Sequence, residues 1–132
     1  MVALSKPPRF RFPRDRRLRR RNDYLRVQAT SARVTTPHFV LLLSAQPSQS
    51  SGGPCRIGIV ASKKVGIAVV RNRAKRLLRE AFRTRPELYP SDVDLLVIAR
   101  PGAADLSYAA VCNEIQAVAR LVLRRAREVL RK

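Results

Sequence analysis

Acidic residues are scarce in this chain of 132 residues: 9 Asp+Glu stand against 28 Lys+Arg, a formal net charge of +19. Such a field repels itself in the compact state and favours a polyanionic partner. The shortage also weighs against a self-sufficient metal nuclease, which needs several carboxylates around its ions or a general base. Histidine and cysteine are equally sparse. One His (His38) and two cysteines far apart, Cys55 and Cys112, cannot build a four-ligand zinc site and read as reduced thiols of a cytoplasmic protein. No apolar run approaches 18 residues, which excludes a membrane-spanning helix. The N-terminus lacks the apolar segment of a secretory signal. There is no Trp, no glycine-rich phosphate loop and no internal repeat.

What is present can fold. Hydrophobic residues make up 45% of the chain, enough for one domain with one core. Residues 1–17 form a basic, proline-containing tail, and residues 18–130 read as a single domain. A helical pattern runs from Leu18 to about Ala29, with Leu18, Tyr24, Leu25 and Gln28 on one side and Asn22 or Asp23 as N-cap. Val34–Thr36, "HFVLLLSA" and "CRIGIVAS" read as extended segments, the last two joined across the turn-rich loop Gln46–Pro54 as an antiparallel hairpin. "DVDLLVIAR" is apolar at both parities, so it should be central or buried on both faces. Ser107 is positioned to cap a last helix with apolar residues three and four apart from Tyr108 to Val129. On that helix Arg120, Arg124, Arg127 and Arg131 form a separate basic stripe, which also complements the C-terminal helix dipole. The order α-β-β-β-α-β-α predicts an α+β (α/β sandwich) fold with three helices on a small mixed four-stranded sheet.

The helix from about Val70 to Arg83 carries the functional signal. At about 100° per residue, Val70, Ala74, Leu77, Leu78, Ala81 and Phe82 fall on one face. Asn72, Lys75, Arg76, Arg79 and Arg83 fall opposite, and Arg71 and Arg73 flank them. A solvated helix face ordinarily mixes charge signs; this one has a single acid, Glu80, set to pair with Arg76 four residues earlier. The cations of the first turn oppose the helix dipole, a conflict that a bound phosphate relieves. The face therefore predicts nucleic-acid binding, with Lys63 and Lys64 beside it. A structural RNA-binding protein, such as a ribosomal component, has the same signature.

The block "SKKVGIAVVRNRAKRLLREAFR", with "RRRNDYLRV" before the first strand and "DVDLLVIARPGA" after the helix, resembles the bacterial ribonuclease P protein family. The resemblance implies the protein subunit of a ribonucleoprotein endonuclease, whose RNA subunit uses Mg2+ to remove the 5′ leader of precursor tRNA. Neither an organic cofactor nor an obligate protein partner is implied, and the partners are ribonuclease P RNA and precursor tRNA. It implies a left-handed βαβ crossover, against the right-handed default. Ser62, Lys63, Lys64, Arg71, Asn72, Arg73, Lys75, Arg76 and Arg79 match the RNA-binding strand end and helix. Tyr24, Phe39 and Val40 match a cleft for the single-stranded leader, where an aromatic stacks on bases without sequence preference. Gln28 and Leu42 stand where some relatives carry further aromatics, and Ile67 where a polar residue is common. No catalytic residue is expected in the chain. His38 reads as structural; Asp92 and Asp94, at alternate strand positions, could together hold one Mg2+ but not a full site.

Overall fold

The computed structural model describes residues 17–46 except Arg19 and Ser31, together with 55–85 and 92–131. The tail up to residue 16 and most of the loop after Gln46 lie outside the described residues. The elements are α1 (Arg21–Gln28), β1 (Arg33–Thr35), β2 (Phe39–Ala45), β3 (Arg56–Ala61), α2 (Ala68–Thr84), β4 (Val93–Ala99), α3 (Tyr108–Ala117) and α4 (Ala119–Leu130), with one 3-10 turn at Ala103–Asp105.

The four strands form one mixed sheet in the order β1-β2-β4-β3. β4 is central as its two apolar parities require: Val93 to Val97 are all buried. It pairs antiparallel with β2 and parallel with β3. This overturns the expected hairpin between β2 and β3. β2 and β4 are both apolar on two faces and both lie inside the sheet, pairing with each other along seven residues, which leaves β3 to the outer side of β4. The hairpin that does form joins β1 to β2. Its turn is held by Thr36, whose hydroxyl accepts from the Phe39 N–H at 2.9 Å.

The sheet carries a core on each face. On one side Phe39, Leu41, Leu43, Leu95 and Val97 pack with Ala74, Leu78 and Phe82 of α2, Val111 and Ile115 of α3, and Val122 and Ala126 of α4. On the other, Leu42 and Leu96 pack with Leu18 and Val27, flanked by half-buried Tyr24, Val40, Val60 and Ile98. The hand of the β3–α2–β4 crossover follows from the bonding. Viewed from the α2 side with β3 running upward, an L-residue whose side chain faces the viewer directs its own N–H and C=O to the right. Ile57 is such a residue, and its carbonyl accepts from Leu18 N–H at 3.0 Å on the outer edge. β4 therefore lies to the left, and the crossover is left-handed, as the family resemblance implies.

Two helix expectations change. α1 begins at Arg21 with Arg20 as an N-cap that makes no side-chain bond, so neither Asn22 nor Asp23 caps it. Within α1 it is Val27, not Leu25, that is buried; Leu25 is 47% exposed. The terminal helix, expected as one, breaks at Val118 (φ −109°, ψ 11°) into α3 and α4. The break lets Val111 and Ile115 face the α2 side while Val122 and Ala126 turn onto β1 and β2. Ser107 does cap α3, accepting from Ala110 N–H at 3.1 Å.

Candidate nucleic-acid interface

α2 is built as its wheel requires. Ala74, Leu78, Ala81 and Phe82 are buried, and Val70 and Leu77 pack partly against the same core. The helix starts after Ile67 without a side-chain cap and with no acid in its first turn. Its first backbone N–H groups thus retain their capacity for an anion. Asn72, Arg73, Arg76 and Arg79 are exposed; Arg71 and Lys75 are half-buried. Glu80 does not pair with Arg76. It takes Arg83 instead, at 2.7 and 2.9 Å, which holds the Glu80 carboxyl below its usual range, with burial opposing. Three residues along a helix is as close as four, and Arg83 presents both nitrogens of its fork. Among the described residues no acid neutralises Arg71, Arg73, Lys75, Arg76 or Arg79. Arg73 has a second attachment: its Nε donates to the Ala104 carbonyl at 2.8 Å, tying α2 to the 3-10 turn.

Ser62, Lys63 and Lys64 form an exposed turn leading straight into this helix. The turn closes through Val65 N–H to Ser62 O at 3.0 Å and Gly66 N–H to Lys63 O at 3.2 Å. Gly66 has φ 150°, and a Cβ there would lie 2.8 Å from Val70 Cγ1. Only glycine lets the turn close that tightly onto α2. The two lysines are so placed beside the N-terminal end of α2.

The second group of expected residues is divided by the sheet. Tyr24 and Val40 lie on the α1 face, with Val60 and Ile98 half-buried beside them. Phe39 does not join them: it is 1% exposed in the core on the opposite face. Adjacent strand residues point to opposite faces, so Phe39 and Val40 cannot both line one cleft. Sequence reading also missed Gly58. A Cβ there would lie 2.9 Å from the Tyr24 ring, so its bare backbone seats the ring on the sheet. A glycine inside an apolar strand is the signal for such close approach. Burial raises the Tyr24 hydroxyl above its ordinary pKa, and the nearby Arg79 guanidinium partly opposes it. α2 packs on the sheet face opposite the Tyr24 cleft.

α1 is fixed over this cleft by ion pairs that sequence reading did not anticipate. Asp94, fully buried, receives Arg56 at 2.6 and 2.8 Å and also pairs with Arg26. Arg26 further donates to the Ala45 carbonyl at 2.8 Å and pairs with Asp23 at 3.2 Å. Arg56 is pushed further up, first by its hydrogen bonds to Asp94. Two guanidinium groups occupy the carboxylate, so the reading of Asp92 and Asp94 as a Mg2+ pair is withdrawn. Among the described residues no three His, Cys, Asp or Glu side chains gather in a metal-holding group. His38 is structural: its ring and backbone N–H meet Glu114 at 2.8 and 2.7 Å. No helix of the described residues is long and apolar enough to cross a membrane.

Fold and site together define a small basic α+β protein with a cationic crossover helix on one face of its sheet and an aromatic-bearing cleft on the other. Residues 12–123 match the family model described as Ribonuclease P. The chain is 38% identical over 118 residues to the ribonuclease P protein component of Desulfovibrio desulfuricans, covering 88% of this chain and 89% of that one. It is 35% identical over 99 residues to that of Syntrophus aciditrophicus, covering 75% and 80%. Among solved structures, the ribonuclease P protein of Staphylococcus aureus superposes with a TM-score of 0.69 at 29% identity over 80% of this chain and 94% of that one. That of Thermotoga maritima gives 0.67 at 28% over 80% and 96%. The chain belongs to the ribonuclease P protein component family, whose members are subunits of a tRNA-processing ribonuclease.

Proposed function

We propose that this protein binds the catalytic RNA of ribonuclease P through α2 and the Ser62–Lys64 turn, and holds the 5′ leader of precursor tRNA in the cleft under α1. The hydrolysis is RNA-catalysed and uses Mg2+ held by the RNA. The observation that carries this reading is the face of α2, where Arg71, Asn72, Arg73, Lys75, Arg76 and Arg79 have no acidic partner among the described residues. Phosphates relieve both the mutual repulsion of those cations and their conflict with the helix dipole. Tyr24, seated on Gly58 and bordered by Val40, Val60 and Ile98, supplies an apolar floor and an aromatic edge for unpaired bases. The two surfaces lie on opposite faces of one sheet, so one RNA-bound protein presents the cleft at a fixed place relative to the catalytic RNA.

The test is reconstitution with a bacterial ribonuclease P RNA and leader-bearing precursor tRNA at low Mg2+. The protein is expected to stimulate cleavage strongly, with a larger gain for substrate carrying a leader than for one trimmed to a single leader nucleotide. Absence of stimulation would refute the reading. Equal stimulation of both substrates would remove the leader cleft while leaving the RNA-binding helix.

A further inference from the structure

α4 carries a second cationic surface that α2 does not account for. Arg120, Arg124, Arg127 and Arg131 are all exposed. At about 100° per residue they fall in a sector about 60° wide, spread over about 16 Å of helix. The sector points away from the sheet, opposite buried Val122 and Ala126. The acid of α4, Glu128, pairs with Arg125 at 3.1 Å, so among the described residues no ion pair involves the stripe. The helix dipole favours Arg127 and Arg131 in the last turn. It disfavours Arg120, the second residue of α4, and leaves Arg124 without benefit. Four like charges at spacings of three and four weaken the helix that bears them, so helix stability does not explain the pattern.

The stripe lies apart from the α2 face. α2 packs over β3, while α4 packs over β2 and β1 at the other end of the sheet. Both helices nevertheless cover the same side, opposite α1 and the Tyr24 cleft. We infer that Arg120, Arg124, Arg127 and Arg131 bind the backbone of a second segment of the catalytic RNA, making the protein a two-point clamp on that RNA. The assignment to the catalytic RNA rests on the reading of α2 above, since α4 shares its side of the sheet and the leader is placed on the other. Evenly spaced guanidinium groups along a straight helix suit successive phosphates and read no sequence. Leu123 and Leu130, 38% and 43% exposed, flank the stripe and offer apolar contact for ribose faces.

The experiment uses the full chain. Arg120→Gln/Arg124→Gln and Arg76→Ala are compared for binding to a bacterial ribonuclease P RNA across a salt series, with circular dichroism confirming the fold. The α4 double variant should lower the salt slope by about two, one for each lost phosphate contact, and Arg76→Ala by about one. An unchanged slope for the α4 variant beside a lowered one for Arg76→Ala would overturn the clamp and keep the α2 reading. The reverse result would remove α2 and keep a binding surface on α4. Position is read separately by a tethered cleavage reagent at Leu123→Cys or at Val69→Cys; Cys55 and Cys112 are buried and stay unlabelled. The two tethers should cut different segments of the catalytic RNA. Cuts confined to one common segment, cuts only in precursor tRNA from the α4 tether, or none from it would each overturn the proposal.

Discussion

Glu114 shows how a single carboxylate holds two elements of this fold together. It reaches from α3 to the β1–β2 turn, where it accepts from the Thr36 hydroxyl at 2.5 Å, the His38 backbone N–H at 2.7 Å and the His38 ring at 2.8 Å. Burial pushes its pKa up, but those hydrogen bonds together outweigh burial and hold it below the usual range. A depressed carboxylate contributes stability above its unfolded value, about 4.3. That contribution is lost as pH falls from there through the depressed folded value. Glu114→Gln should therefore cost about 1–2 kcal/mol at neutral pH, and its deficit should shrink as pH drops below about 4. Urea unfolding of both proteins between pH 3 and 7 measures this; a deficit constant over that range would dissociate it from the Glu114 charge. Such contacts were not legible in the sequence. His38 could be read as structural because it stood alone, but nothing in spacing links residue 38 to residue 114. Asp94 shows the same limit: alternation placed it on a strand face, while its two arginines come from α1 and β3.

At the scale of elements, periodicity carried far. The dry face of α2 and the central place of β4 follow from residue pattern alone, because burial on one face or two leaves a direct imprint on composition. Pairing does not. The β2–β3 hairpin fitted the order of the chain, but the two strands apolar on both faces, β2 and β4, pair with each other and exclude it. The break at Val118 is also silent in a pattern of threes and fours that continues across it. The 3-10 turn was missed, and it changes one expectation for α2. Arg73 and Arg76 both lie off the dry face, so replacing either should spare the fold. Arg73 in fact bonds the Ala104 carbonyl, whereas Arg76 has no such bond among the described residues. Arg76→Ala should weaken RNA binding with thermal stability unchanged. Arg73→Ala should weaken binding and also lower stability by about 1 kcal/mol. Thermal melts beside filter binding separate the two; equal melting temperatures would show that the Arg73–Ala104 bond contributes nothing net.

For the whole molecule the decisive quantity is the net charge of +19. Two effects of salt oppose each other. Salt weakens the surface pairs Glu80–Arg83 and Arg125–Glu128, each worth at most about 1 kcal/mol when exposed. Salt also screens repulsion among cations that outnumber acids about threefold, over a range that shrinks from about 30 Å at 0.01 M to about 8 Å at 0.15 M. The pairs are few and local, whereas the repulsion acts between α2, the Ser62–Lys64 turn and the α4 stripe at once. Screening should win, so the melting temperature of the free protein should rise by several degrees between about 0.01 and 0.3 M KCl. If RNA binds the folded cationic faces more tightly than the unfolded chain, as the proposed function requires, it should raise the melting temperature further at low salt, an increment that fades as salt displaces the phosphate contacts. Differential scanning fluorimetry across a salt series, with and without ribonuclease P RNA, tests both. A melting temperature that falls with salt in the free protein would mean that local pairs, not the collective field, set its stability. The cationic faces would then exact no penalty that a phosphate surface needs to relieve.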